Sequence, residues 1–528
     1  MASVHGELVK EPRSSDDFTC VDVEEFDALS ITLKPETVRK YPSKLHAKSV
    51  AKHLNVKSGL INIPSRRSSN YEDSDQEVFF RQARYFYYLT GVDLPNCAVT
   101  YDVGNDELVL FIPPPNTGKS VIYNGSTPTN KEMMAKYDFH AVKYIADLPA
   151  YLNYFAHREK GFIYVLHPHH IFRAAISPNY TFPDGTQSTL QISPWETTKL
   201  KPAMNASRVI KSPYEIQMIR KANAISGKAH INVLRQIRYL KNEANVEAIF
   251  TATCIAQHAK RQAYGVIAGA GENASTLHYV ANNDPLRGRQ LLCLDAGCEW
   301  NCYAADVTRT FPISGQYTSE AKAIYDIVAE MQEEAIEMCK PGANYIDIHL
   351  HTHLIAIRGL MKLGLLQNGS EEEIFKSGVS VAFFPHGLGH YIGLEVHDVG
   401  DGGNLLYGMQ ERSWLVNFHH MLQDSSSASI LVPNMVITIE PGIYFSRYAL
   451  EMYTKVPRYA PYINTKVLDK YFPVGGIRIE DDILITEDGY ENLTTAPKGD
   501  EALSIINGVM GKVDQEKEKD GRKRGWIF

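Results

Sequence analysis

Four acidic residues stand inside runs of apolar and small residues, and that placement constrains this chain more than any other feature. Asp295 and Asp306, eleven positions apart, lie within LLCLDAGCEWNCYAADVTRTF; Glu440 follows the alternating strand-type run VITI, and Glu480 follows GGIRI. A carboxylate taken out of water without a partner loses several kcal/mol of solvation, so each needs a cation, strong donors or a proton. Any one of them could be a hydrogen-bonded structural acid at a strand end. Four together call for a shared cation.

The stretch FFPHGLGHYIGLEVHDVG adds His386, His390 and His397 among glycines that let backbones approach closely. One imidazole beside four carboxylates makes a hard, oxygen-rich donor set, which favours Mn, Co or Fe over a thiolate-selected zinc. Charge balance points to two divalent ions against the four carboxylates. Two such ions about 3.5–4 Å apart would turn a bridging hydroxide into a nucleophile at neutral pH and polarise a carbonyl for attack.

The 528 residues allow two to four domains at roughly 150 residues each. Hydrophobic residues at 44% and charged residues at 22% describe a folded chain, and 54 Lys+Arg against 61 Asp+Glu give no general attraction to phosphates, so nucleic acid is not expected as a main partner. No run of about 18 apolar residues could span a bilayer, the first residues lack a signal-peptide pattern, and seven cysteines without CxxC spacing suit reduced thiols. The expectation is a cytoplasmic protein with no membrane partner.

Residues 1–48 read as a polar extension, and 49–205 as a small α/β domain built on ELVLFIPPP, KSVIYNG and GFIYVLHP. A boundary falls between Pro202 and Pro213, where Ser212 caps a helix of about 214–240 that has Pro213 in its first turn. The second domain covers 206–505; a second helix, about 319–339, carries Ile324, Ile327, Val328, Met331 and Ala335 on one face. Residues 506–528 form a charged tail. His167, His169 and His170 have no acids at ligand spacing and read as loop or surface histidines.

The order Asp295, Asp306, His390 in HGLGH, Glu440 in EPGIYF and Glu480 in IRIED resembles the dinuclear metallopeptidases of the pita-bread fold. PHGLGHYIGLEVHDVG and GENASTLHY are similar to the Xaa-Pro peptidases, aminopeptidase P and prolidase, and FFRQARYFYYLTG resembles their N-terminal domain. The resemblance implies an α/β chain: a C-terminal pita-bread metallopeptidase domain preceded by a smaller α/β domain. It implies two divalent ions per subunit, with Mn preferred. Asp295 would hold one ion, His390 and Glu440 the other, and Asp306 and Glu480 would bridge. By the same resemblance His278 and His397 bind substrate, His386 stands behind the ligands, Arg478 lies behind them or at the substrate, and Glu440 shuttles a proton. Tyr444 stays unassigned between substrate and core.

The implied reaction is hydrolysis of the bond before a penultimate proline, with peptides as partners and a homodimer left open. Prolidases add a cation for the dipeptide carboxylate between HGLGH and EPGIYF; Ser413 to Ile439 contains no Arg or Lys, and Arg412 is hard to align with that role. The reading therefore leans to an Xaa-Pro aminopeptidase over a prolidase, although the forty-residue gap from Glu440 to Glu480 is prolidase-like in length. The apolar and serine-rich stretch 413–432 departs from the family pattern and motivates a rival, a silent peptide-binding module. Relatives that have lost catalysis have lost ligands, whereas all five ligand positions are occupied here.

Overall fold

A computed structural model describes residues 40–159, 161–191, 193–399, 405–406 and 429–508. Alternation along the early strands sends neighbouring side chains to opposite faces of one six-stranded mixed sheet, with Leu60–Pro64 between Ala98–Asp102 and Ile163–Tyr164, and Glu107–Ile112 on the far side of Ala98–Asp102. Ile61, Ile63, Val99 and Leu110 face the helices Ser43–Leu54 and Arg84–Thr90, whereas Leu60, Val109 and Phe111 face Leu148–Glu159. Both faces are covered, which explains why ELVLFI is apolar almost throughout.

The polar extension ends earlier than residue 48. Tyr41, Ser43, His46 and Ala47 are buried, because the helix opening at Ser43 lays this face on the sheet and His46 Nδ1 donates to the Tyr88 carbonyl at 2.7 Å. The boundary placed between Pro202 and Pro213 meets a helix: Leu200–Val209 crosses the division drawn at 205. Pro202 sits in its first turn, where its missing N–H costs nothing, and Leu200, Ala203 and Met204 join the core around Ala47 and Val50. At the other end Ile506 is buried as the last residue of the helix Gly499–Ile506, so the charged tail starts after it.

Helix Pro213–Gln236 opens with a reciprocal cap: Ser212 Oγ accepts from Glu215 N, and Glu215 Oε2 accepts from Ser212 N at 2.8 Å. Helix Ser319–Glu337 buries Ile324, Ile327, Val328, Met331 and Ala335 as their spacing requires. With Glu243–Ala256 and Tyr345–Lys362 these helices pack around short antiparallel sheets that carry the acids. The two units share a core, since Tyr303, Ile392 and Leu394 pack in the same cluster as Tyr87 and Tyr41.

Among the described residues six cysteines are buried and free of disulfides, and no helix is long and apolar enough to cross a membrane. In a short turn of the first unit His167 stacks on His169, and His170 meets both rings edge-on. Residues 413–428 of the unusual stretch, and Arg412, lie outside the described residues. The strand that follows is in place: Leu431 is fully buried and Val436–Ile439 pairs along Asp481–Ile485.

Candidate metal centre

Two antiparallel pairings bring the four acids together. Leu291–Asp295 runs against Thr308–Pro312 with Asp295 opposite Thr308, which leaves Asp306 just beyond the same end. Gly297 makes that turn possible, since a Cβ there would stand 1.9 Å from the Ala305 carbonyl oxygen. Ile439 pairs with Asp481, so Glu440 and Glu480 project side by side from adjoining strand ends. The HGLGH loop then lies along the first of these strands: Thr438 N donates to His390 O at 2.9 Å and Glu440 N to Leu388 O at 2.8 Å. Gly389 permits this approach, for a Cβ would meet Thr438 O at 2.0 Å.

Asp306, His390 and Glu480 each offer a ligand atom within 4.8 Å of the others, all from buried side chains. His390 Nε2 lies 3.4 Å from both Asp306 Oδ2 and Glu440 Oε1. Its Nδ1 donates to the Tyr391 carbonyl at 3.1 Å, which leaves Nε2 facing carboxylate oxygens. Asp295 Oδ1 and Glu480 Oε1 are buried without a hydrogen-bond partner.

Burial, followed by mutual repulsion, raises Glu480 well above the carboxylate range, and burial raises Asp295 despite Arg478. Burial likewise raises Glu440 to about 8, although His390 pulls it down. Burial opposes the charge on His390, yet its hydrogen bond to Asp306 and the charge on Glu440 raise it to about 9. Acceptors turned on acceptors, with orphaned buried oxygens, are what divalent cations satisfy, and this donor set fits them.

The remaining expected residues surround this cluster. His397 stacks edge-on to His390 with ring centroids 4.3 Å apart, and His278, exposed on the rim, is near enough for its charge to bear on both His386 and His397. His386 Nδ1 donates to the Gly387 carbonyl at 2.8 Å, so its Nε2 accepts from the Tyr444 hydroxyl, also at 2.8 Å. Arg478, 4% exposed, donates to Asp295 Oδ2 and to Tyr444 Oη, placing it behind the expected ligand Asp295.

Sequence reasoning left out Tyr444 and did not consider three further supports. Tyr264, whose hydroxyl accepts from Val307 N at 3.4 Å, stands close enough to Asp295 and Asp306 that their charges, after burial, raise it. Thr308 Oγ1 donates to Glu480 Oε2 at 2.6 Å, and Asp482 Oδ2 accepts from Asp306 N at 3.1 Å. Asp482, directly after the IED run, was the one carrying a signal, an acid in a fully buried strand that opens with two aspartates.

A two-unit chain whose second unit gathers four carboxylates and an imidazole on paired strand ends has the build of a metal-dependent hydrolase. Residues 217–487 match the metallopeptidase family M24 and residues 44–164 match the N-terminal domain of aminopeptidase P; the chain belongs to family M24. A probable Xaa-Pro aminopeptidase of Sclerotinia sclerotiorum is 59% identical over 99% of this chain and 97% of its own. One of Aspergillus niger is 48% identical over 90% and 95%. Among solved structures, E. coli aminopeptidase P with the inhibitor Pro-Leu superposes with a TM-score of 0.72 at 26% identity, covering 89% of this chain and 99% of that one. The fold is the pita-bread fold with its preceding α/β domain.

Proposed function

We propose that this chain removes the N-terminal residue from peptides whose second residue is proline, working with two divalent ions, Mn foremost, held by Asp295, Asp306, His390, Glu440 and Glu480. It is an Xaa-Pro aminopeptidase, a hydrolase of the metallopeptidase class. The observation that carries the reading is the junction of the five ligand-type groups with His397 and His386 at one set of strand ends. Bound divalent ions supply an activated water and Lewis-acid polarisation of the scissile carbonyl.

The chain's own groups do the rest. Glu440, whose Oε1 lies 3.4 Å from His390 Nε2, would take the proton of the attacking water and pass it to the leaving prolyl nitrogen. Burial, with the charge of His390, lowers His397 to about 3; the neutral ring offers an N–H to the carbonyl oxygen. Proline lacks the amide N–H that general peptidase sites grip, and its fixed φ presents the preceding carbonyl in one orientation.

Substrate length follows from where the cations are. Arg447 pairs with Glu272 at 3.1 Å and stacks over Phe472, Lys455 pairs with Glu451 at 2.7 Å, and Arg458 lies over Tyr459. Arg447, Lys455 and Arg458, which lie between Glu440 and Glu480, are thus engaged elsewhere, which supports a site for longer peptides over a prolidase. Xaa-Pro-Yaa tripeptides should be cleaved with kcat/KM about tenfold or more above Xaa-Pro dipeptides, and blocking the N-terminal amine should abolish both. Good turnover of dipeptides with hardly any of tripeptides would replace this reading with prolidase. The six buried thiols support a reducing compartment such as the cytoplasm, which fractionation of the native protein would test.

A further inference from the structure

The loop from Gly393 to Asp398 carries His397, and cationic side chains from outside the catalytic sheets hold it at two residues, Glu395 and Asp398. Arg81 donates through Nη1 to Glu395 Oε1 at 2.9 Å and through Nη2 to Glu395 Oε2 at 2.5 Å, a two-pronged fork. The same Nη2 reaches Glu299 Oε1 at 3.1 Å; Arg84 pairs with Glu299 too, and its Nε lies 3.5 Å from Glu395 Oε1. Arg208 and Lys211 both hold Asp398, and Arg208 lies over the Tyr85 ring.

Glu395 and Asp398 bracket His397 at two positions and one. The backbone between them is tied as well, with Asp398 N donating to Tyr391 O at 2.8 Å and Gly393 N to Glu395 O at 3.1 Å. Ile392 and Leu394 are buried in the core that includes the first unit's helices.

The Arg81–Glu395 pair is about one third exposed on each side chain, at 34% and 35%. A pair so exposed adds little to stability. Fixing a donor is a different matter, since displacement of a reacting group by about 1 Å can cost roughly a hundredfold in rate. We infer that Arg81 and Arg84, in the first unit, are positioning residues for the reaction: through Glu395 they set where His397 stands over the substrate carbonyl. The inference rests on the reading of His397 as a substrate-binding donor. It also gives the FFRQAR motif a task, since Arg81 and Arg84 both lie in it.

A double-mutant cycle on the metal-loaded enzyme, with Ala-Pro-Ala as substrate, separates this from a purely structural role. Glu395→Gln keeps the shape, and Arg81 keeps Glu299, so folding and metal content should match the parent. Its kcat should fall on the order of tenfold, with Arg81→Lys, which keeps the charge but loses the fork, falling less. In a His397→Ala background Glu395→Gln should cause no further loss. Hydrogen exchange supplies a readout apart from activity: the amides of Gly393 and Asp398 should exchange faster in Glu395→Gln. Parental kcat in Glu395→Gln, or the same loss with and without His397, overturns the inference alone. Parental kcat in His397→Ala overturns the reading of His397 and this inference with it.

Discussion

Arg478 donates through Nη2 to Asp295 Oδ2 at 2.8 Å, so the arginine two residues before a ligand-type glutamate orients a ligand-type aspartate from another strand. Its Nη1 reaches Tyr444 Oη at 2.9 Å and its Nε reaches Thr308 Oγ1 at 3.3 Å. Lysine cannot make these directed bonds from one point charge. Arg478→Lys should weaken metal affinity about 10–100-fold, the usual cost of losing a partner behind the ligands. Unchanged affinity in a metal titration would mean that Arg478 serves the substrate instead.

Asp306 occupies the centre of the cluster, hydrogen-bonded to His390 through its side chain and to Asp482 through its N–H. Asp306→Asn keeps the volume and removes the charge. Stoichiometric metal binding should be lost and Xaa-Pro hydrolysis should drop on the order of a thousandfold or more. Full hydrolysis in this variant, or in chelator, would remove the metal-dependent mechanism.

Metal affinity should rise with pH. Without an ion His390 is raised to about 9 and Glu440 to about 8, so at neutral pH these groups hold protons that an entering cation must displace. Affinity should therefore climb between about pH 6 and 9 and level off above. Calorimetry in buffers of different ionisation enthalpy should detect the released protons, and an affinity flat across that range would contradict the arrangement.

Asp398 makes a separate pH prediction. Burial would raise its carboxyl, but Arg208 and Lys211 hold it below its usual value of 3.8. The folded pKa is depressed, so this stabilisation is fully present above about pH 4 and is lost as pH falls through 3.8 towards the folded value. Asp398→Asn should flatten that acid limb, and at neutral pH it should cost about 3–5 kcal/mol by leaving two buried cations unpaired. Denaturant melts of the chelated protein and its variant, at several pH values, measure both effects.

What the sequence disclosed and what it withheld follow from physics. The ligand-type acids were legible because a charge inside an apolar run is an anomaly that demands an explanation, and the cap at Ser212 was legible because its partners are three residues apart. Tyr444 was not, since a tyrosine in a short strand is what strands ordinarily contain. Its role is set by groups 34 and 58 positions away. The Arg81 contact to Glu395 spans 314 positions and has no local trace at all. Pro202 misled because proline punctuates most helices yet is harmless in a first turn.

The pairing of Ile439 with Asp481 has a consequence for how the protein is made. The ligand-type groups are spread from Asp295 to Glu480, and the last arrives only when the final strands dock, so a chain still leaving the ribosome has no complete binding site. Contacts of such long sequence separation form late in folding. Any cation site built from this set therefore needs the chain through Glu480, and a shorter nascent chain has no complete one.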